Sequence, residues 1–216
     1  MPNHNLAASE GQPGTPLVRT EPIQERSAAR IDALLDAAAA VVDSIGFDRL
    51  TTAMVAERAD ASIGTVYRYF PDRIVLLQAL RDRALLRYRN AVRSVIADRA
   101  PDKWWDAVDC AIDAFVEMFR NEAGFRIVRF TDVERTPGVA DPQLRTGLFV
   151  RQFADILVEQ FGMPAGAELD FRLEVVFETV DALITRAFVS DPAGDQAFID
   201  EARAMIREYL LLRFGD

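Results

Sequence analysis

The sequence is poor in the residues from which most catalytic and metal sites are built. It has one histidine, His4, and one cysteine, Cys110, in 216 residues. A single cysteine excludes an internal disulfide framework and fits a reducing compartment. There is no HExxH, no CxxC, no glycine-rich phosphate loop and no GxSxG. Any metal site has to be assembled from carboxylates. A hydrolase using a carboxylate pair is compatible with so many acids, but no spacing singles out a pair. No catalytic residue, metal or cofactor is therefore expected, and the chain reads as a non-enzyme. No apolar run is long enough to cross a bilayer, and no basic segment followed by an apolar one marks a secretory signal. A cytoplasmic protein without a membrane partner is expected. Strand alternation, internal repeats and heptads are also missing.

What is present is half apolar residues and a net charge of −9 that is unevenly spread. Residues 21–90 carry ten Arg and ten acids, whereas 91–216 carry fourteen Lys/Arg and twenty-three acids. Within 58–89, seven Arg (58, 68, 73, 81, 83, 87, 89) face three Asp (60, 72, 82). Positive charge is thus local, and local charge is what neutralises phosphates. The acidic remainder discourages the other half from binding nucleic acid.

Residues 1–24 are rich in Pro, Gly, Asn, Ser and Gln without periodicity, which predicts a disordered tail. Ile31, Leu34, Leu35, Ala38, Val41, Val42 and Ile45 then recur at helical spacing up to Gly46. Thr51 or Thr52 caps a second helix. Asp60-Ala61-Ser62 forms a turn, Ser62 caps a third helix, and Phe70-Pro71 stops it. Asp72 caps a fourth helix. Further helices are expected from Asp102, over 122–134 (broken), 142–161, 167–189 and 195–213. The fold class is all-α, with about nine helices. A helix-turn-helix DNA-binding domain at 25–72 is followed by a larger helical domain at 73–216.

The third helix carries the chemistry. At about 100° per residue, Ile63, Val66 and Phe70 fall together and are expected to face the first two helices. Gly64, Thr65, Arg68 and Tyr69 point the other way, with Tyr67 on the border. Gly64 lets a backbone or base edge come close. Thr65 can bond a base or phosphate, or touch a thymine methyl, and Arg68 can fork onto guanine O6 and N7. Tyr67 and Tyr69 can send hydroxyls to phosphates. Thr52 and Ser62 open helices and suit phosphate anchoring, and Arg73 can hold one more. Taken singly, each residue also has a structural use: Gly64 could serve helix packing and Tyr67 the core.

The segment from Arg30 to Leu80 resembles the DNA-binding domain of the TetR/AcrR family of transcriptional regulators. The resemblance rests on Gly46-Phe47, Leu50-Thr51-Thr52, Val55-Ala56, Ala59, Ser62 through Phe70, Pro71-Asp72-Arg73 and Leu76-Leu77. It implies that Thr52, Ser62, Gly64, Thr65, Tyr67, Arg68, Tyr69 and Arg73 touch DNA. Arg68 lies at a variable family position, so its base contact is inferred from geometry. Asp60 stands where the family commonly has glycine, and Arg73 where it commonly has lysine.

For the second half the resemblance is architectural and implies effector binding and dimerisation. The last two helices are apolar nearly all round. They can form a two-fold interface through Val176, Val180, Leu183, Ile206 and Leu210, or can be central core helices. Polar changes at Leu210 or Ile206 are accordingly expected to give monomers. Aromatics are plentiful; Trp104, Phe115, Phe119, Phe153 and Phe177, with Asp181, are candidate effector contacts, and each also fits a core role. Asp170, Glu174, Glu178 and Asp181 share a side and suit either surface ion pairs or a cationic effector. The acids at 102, 106, 109, 113 and 117 read as a solvated face.

The expected function is a homodimeric regulator, a repressor released from a pseudo-palindromic double-stranded operator by a small-molecule effector. The alternative is a helical small-molecule-binding or protein-interaction module that does not read DNA.

Overall fold

The structure, a computed structural model, describes residues 23–126, 143–189 and 191–215. Among the described residues, eight α-helices and one 3-10 turn make up the regular structure. They are α1 (Ile23–Ile45), α2 (Thr52–Arg58), α3 (Ile63–Tyr69), α4 (Arg73–Arg99), α5 (Trp104–Asn121), α6 (Gln143–Phe161), α7 (Ala167–Ala187) and α8 (Gln196–Phe214). The expected tail lies outside the described residues, apart from its end at Ile23, where α1 begins. The broken helix expected at 122–134 is not seen in its described part. Residues 123–126 form a turn, because Gly124 takes φ +75 and packs on α1. Residues 127–134 lie outside the description.

Local signals explain the helix ends. Gly46, at φ +87, donates its N–H to the Val42 carbonyl and stops α1. Thr51 caps α2 by accepting from the Met54 N–H at 3.3 Å, and Asp72 caps α4 by accepting from Val75 at 2.9 Å. The α2–α3 turn closes through paired bonds. Ala61 N–H reaches the Ala56 carbonyl and Asp60 N–H reaches Glu57, with Asp60 at φ 45. An aspartate tolerates this left-handed position far better than a branched residue does. Ala100 (φ 43) and Pro101 end α4.

There are two cores. The first gathers Leu34, Ala38 and Val42 of α1, Leu50, Val55 of α2, Val66 of α3, Phe70, and Leu76, Leu77 and Leu80 of α4. The second gathers Tyr88, Val92 and Ile96 of α4 with the inner faces of α5 to α8. Ala84 packs against both. Both cores thus draw on α4, the first on its start and the second on its later turns. One continuous helix spans both cores.

Candidate nucleic-acid interface

α3 is a short rod held by its apolar flank. Val66 is fully buried and Phe70 nearly so, and Ser62 caps the rod by accepting from the Thr65 N–H at 3.1 Å. The opposite flank faces solvent, with Gly64, Tyr67 and Arg68 exposed and Thr65 and Tyr69 half-buried. The expectation for Ile63 is corrected: it is 42% exposed. A helical side chain leans toward the N-terminal end of its own helix, so one in the first turn projects past the packing partners that cover Val66.

Gly64 resolves two readings of a glycine at this place. A Cβ added there would meet only Ser62 Oγ, at 3.8 Å, and its φ is not positive. Neither packing nor backbone geometry within the subunit requires glycine, which is costlier than alanine in a helix. The space it leaves is external. Tyr67, 51% exposed, is likewise not a core residue.

The hydroxyls are organised. Thr52 is buried, and its Oγ1 donates to the Tyr67 hydroxyl at 3.3 Å. Its side chain thus holds Tyr67 in place. Ser62 Oγ and Thr65 Oγ1 share a hydrogen bond of 2.9 Å. Ser27 of α1 donates to the Tyr69 hydroxyl at 3.5 Å. Arg73, half-buried, opens α4 beside them.

The second unit contains an apolar cavity of about 30 Å³. Phe115, Phe153 and Phe177, three of the proposed effector contacts, line it. Trp104, Phe119 and Asp181 do not. Trp104 packs edge-on against Phe214, and Phe119 meets Phe125 edge-on and Phe188 at a tilt. Asp181 does not line the cavity and is 1% exposed; of the three acids expected on its side of the helix, Glu174 and Glu178 are exposed and Asp170 half-buried. Tyr88 was missed. It lines the cavity from α4 and donates to the Ala111 carbonyl at 3.1 Å. Burial pushes its phenol well above the ordinary tyrosine range. Its place in a long helical repeat gave no signal that it faced a void.

The interface residues also need correction. Val176 and Val180 line the cavity, and Ile206 and Leu210 are 3% and 1% exposed within the subunit core. Atoms already buried inside one subunit cannot form the contact with another. Leu183 is half-buried. Outward apolar residues of α7 and α8 include Phe171, Ala182, Met205 and Leu212, the last 91% exposed.

The acids at 102, 106, 109, 113 and 117 are not uniformly solvated. Asp102 and Glu117 are exposed, whereas Asp106, Asp109 and Asp113 are half-buried. Asp113 accepts from Arg99 of α4 and Arg203 of α8, tying three helices. Burial pushes its carboxyl up, but the bonds from Arg203 and Arg99 outweigh this and hold it below the usual carboxylate range. Asp109 is raised, chiefly by burial.

A short route joins the cavity to the first unit. Phe115, on the cavity wall, meets Phe125 edge-on at 5.5 Å between centroids. Gly124, beside it, lies so close to α1 that a Cβ would come within 2.9 Å of the Ala39 carbonyl. Its N–H donates to Asp43 at 3.3 Å. Arg87 of α4 pairs with Glu122 of this turn at 2.7 Å and with Asp36 of α1 at 3.5 Å.

Comparison with known proteins agrees with this arrangement. Residues 34–80 match the family described as bacterial regulatory proteins, tetR family. Residues 102–214 match the tetracyclin repressor-like C-terminal domain. A solved TetR-family transcriptional regulator from Streptomyces coelicolor is 33% identical, with a TM-score of 0.74 over 88% of this chain and 100% of that one. The HTH-type transcriptional repressor KstR of Mycobacterium tuberculosis is 34% identical over 86 residues; the match spans 39% of this chain and 39% of KstR. The HTH-type transcriptional regulator SAR0097 of Staphylococcus aureus is 23% identical over 63% of this chain and 65% of its own length. Among the described residues no helix is long and apolar enough to cross a membrane. With one domain match spanning just over half of the sequence and a relative aligned along nearly all of it, the chain belongs to the TetR family, a family of transcriptional regulators and not of enzymes.

Proposed function

We propose that this protein is a homodimeric, cytoplasmic transcriptional repressor that reads a pseudo-palindromic operator with α3 and leaves it when a small molecule enters the second unit. The observation that carries the DNA reading is Gly64. A solvent-facing helix keeps its costliest ordinary residue where nothing in the subunit asks for it, flanked by exposed Arg68 and Tyr67. A duplex approaching that face gives the glycine its reason. Thr65 and Arg68 address base edges. Ser62, Tyr67, Tyr69 and Arg73 position the phosphate backbone, with Thr52 holding Tyr67 from behind. A module that does not read DNA has no use for this face.

Pairing through the outer faces of α7 and α8, at Phe171, Ala182, Met205 and Leu212, presents two readers about one helical turn apart. The effector expected is uncharged and apolar, since Phe115, Phe153 and Phe177 stand on the cavity wall and, among the described lining residues, the one hydroxyl, Tyr88, is bonded to a carbonyl. A void of about 30 Å³ holds roughly one water, so any effector must spread its walls. Spreading them at Phe115 presses on Phe125 and Gly124, and hence on α1, changing reader separation at a cost in operator affinity.

Footprinting on the DNA upstream of the gene tests this. Two protected half-sites, centred roughly 10 base pairs apart or a whole-turn multiple of that, are expected. Uniform or absent protection would overturn the reading.

A further inference from the structure

We infer that Ile63 determines part of the DNA sequence preference, by packing its side chain on the 5-methyl group of a thymine in the major groove. This rests on the proposal that α3 reads DNA. Four observations carry it. Ile63 is 42% exposed on a helix otherwise anchored by Val66 and Phe70, so a large part of its side chain is left open to solvent. Its neighbour Gly64 has no side chain and stands beside open space, leaving Ile63 unscreened. The nearest hydroxyls, Ser62 and Thr65, are bonded to each other at 2.9 Å, which commits part of the polar capacity at this end of the rod. Arg68, also exposed, supplies the charge that draws the rod to phosphates.

An isoleucine in that place has no donor or acceptor for a base edge. The major groove offers one apolar feature, the thymine methyl, which distinguishes T·A from every other pair. Covering one methyl removes it and the facing isoleucine surface from water, worth about a fourfold preference per half-site. Thr65 was the residue expected from sequence to make this contact; the exposed and wholly apolar Ile63 is the better fit.

The test uses the full-length protein. Duplexes are selected from a random-sequence library with the wild-type protein, and each thymine of the selected site is then replaced singly by deoxyuridine, which lacks only the methyl. Wild type is expected to lose about fourfold in affinity at one symmetry-related position of each half-site. Ile63→Ala should be indifferent to the methyl at that position and unchanged elsewhere, and Ile63→Val should keep most of the sensitivity. The exposed site makes these changes mild for folding, which circular dichroism checks. Equal deoxyuridine sensitivity in wild type and Ile63→Ala would overturn the inference. So would sensitivity abolished by Thr65→Ser instead. A wild-type selection that enriches no sequence would instead sink the proposal that α3 reads DNA, and this inference with it.

Discussion

Replacing Gly64 by alanine should move stability and DNA affinity in opposite directions. The added methyl lies 3.8 Å from Ser62 Oγ and meets nothing else, an ordinary contact. The backbone is helical, so alanine adopts it without strain and gives up less entropy on folding. The gain is about 0.5–1 kcal/mol, nearer the lower figure in a first turn, and about 1–3 °C in Tm for a chain of this size. In the complex the same methyl stands where a base edge or sugar-phosphate must come close. A loss of roughly 1 kcal/mol at each half-site compounds in a dimer to about thirtyfold weaker binding. Differential scanning calorimetry reads the first effect and fluorescence anisotropy with the selected duplex reads the second. A stabilised variant with unchanged affinity would refute the assignment of that open space to DNA. A destabilised variant would refute the local structure itself.

Four further outcomes are expected. Arg68→Ala should weaken the selected site much more than random duplex, whereas Arg73→Ala should weaken both about equally and lower the salt slope by about one, as read by anisotropy across a salt series. Leu212→Glu with Met205→Glu should give folded monomers by sedimentation, whereas Ile206→Asp, buried in the subunit core, should unfold the protein. Gly124→Ala places a Cβ 2.9 Å from the Ala39 carbonyl at φ +75, so a loss of about 1–2 kcal/mol is expected in urea unfolding. Asp113, held below its ordinary range, adds stability that is complete above the unfolded carboxylate range and lost as pH falls through its lower folded value. Asp113→Asn should therefore flatten the acid limb of a stability–pH curve, while Asp109, shifted the other way, acts with opposite sign.

Much of the first unit was legible because its signals are local. Gly46, Asp60, Ser62, Pro71 and Asp72 act on backbone within a few residues of themselves, so their meaning survives without tertiary knowledge. Ile63 was misplaced because a helical wheel gives direction but not depth. Angle alone groups it with Phe70, yet Phe70 is 4% exposed and Ile63 42%. In the second unit the limits are different. Val176, Val180, Ile206 and Leu210 lie on helices apolar nearly all round, and periodicity cannot tell a neighbouring helix of the same subunit from one of another. Asp113 read as solvated because its partners, Arg99 and Arg203, approach from helices distant in sequence. The turn at Gly124 looked helical because Glu122 and Ala123 favour helix; its left-handed glycine is fixed by contact with α1.

The central claim is that a two-fold pair of α3 rods holds duplex DNA through phosphates and base edges. Titrating the wild-type protein into its upstream duplex over a series of salt concentrations, with stoichiometry from sedimentation, tests it most directly. The account predicts two subunits per site, or a multiple of two, and log K falling steeply and linearly with log salt, as several phosphate contacts require. Binding that ignores salt, or saturates with one subunit per duplex, would contradict it.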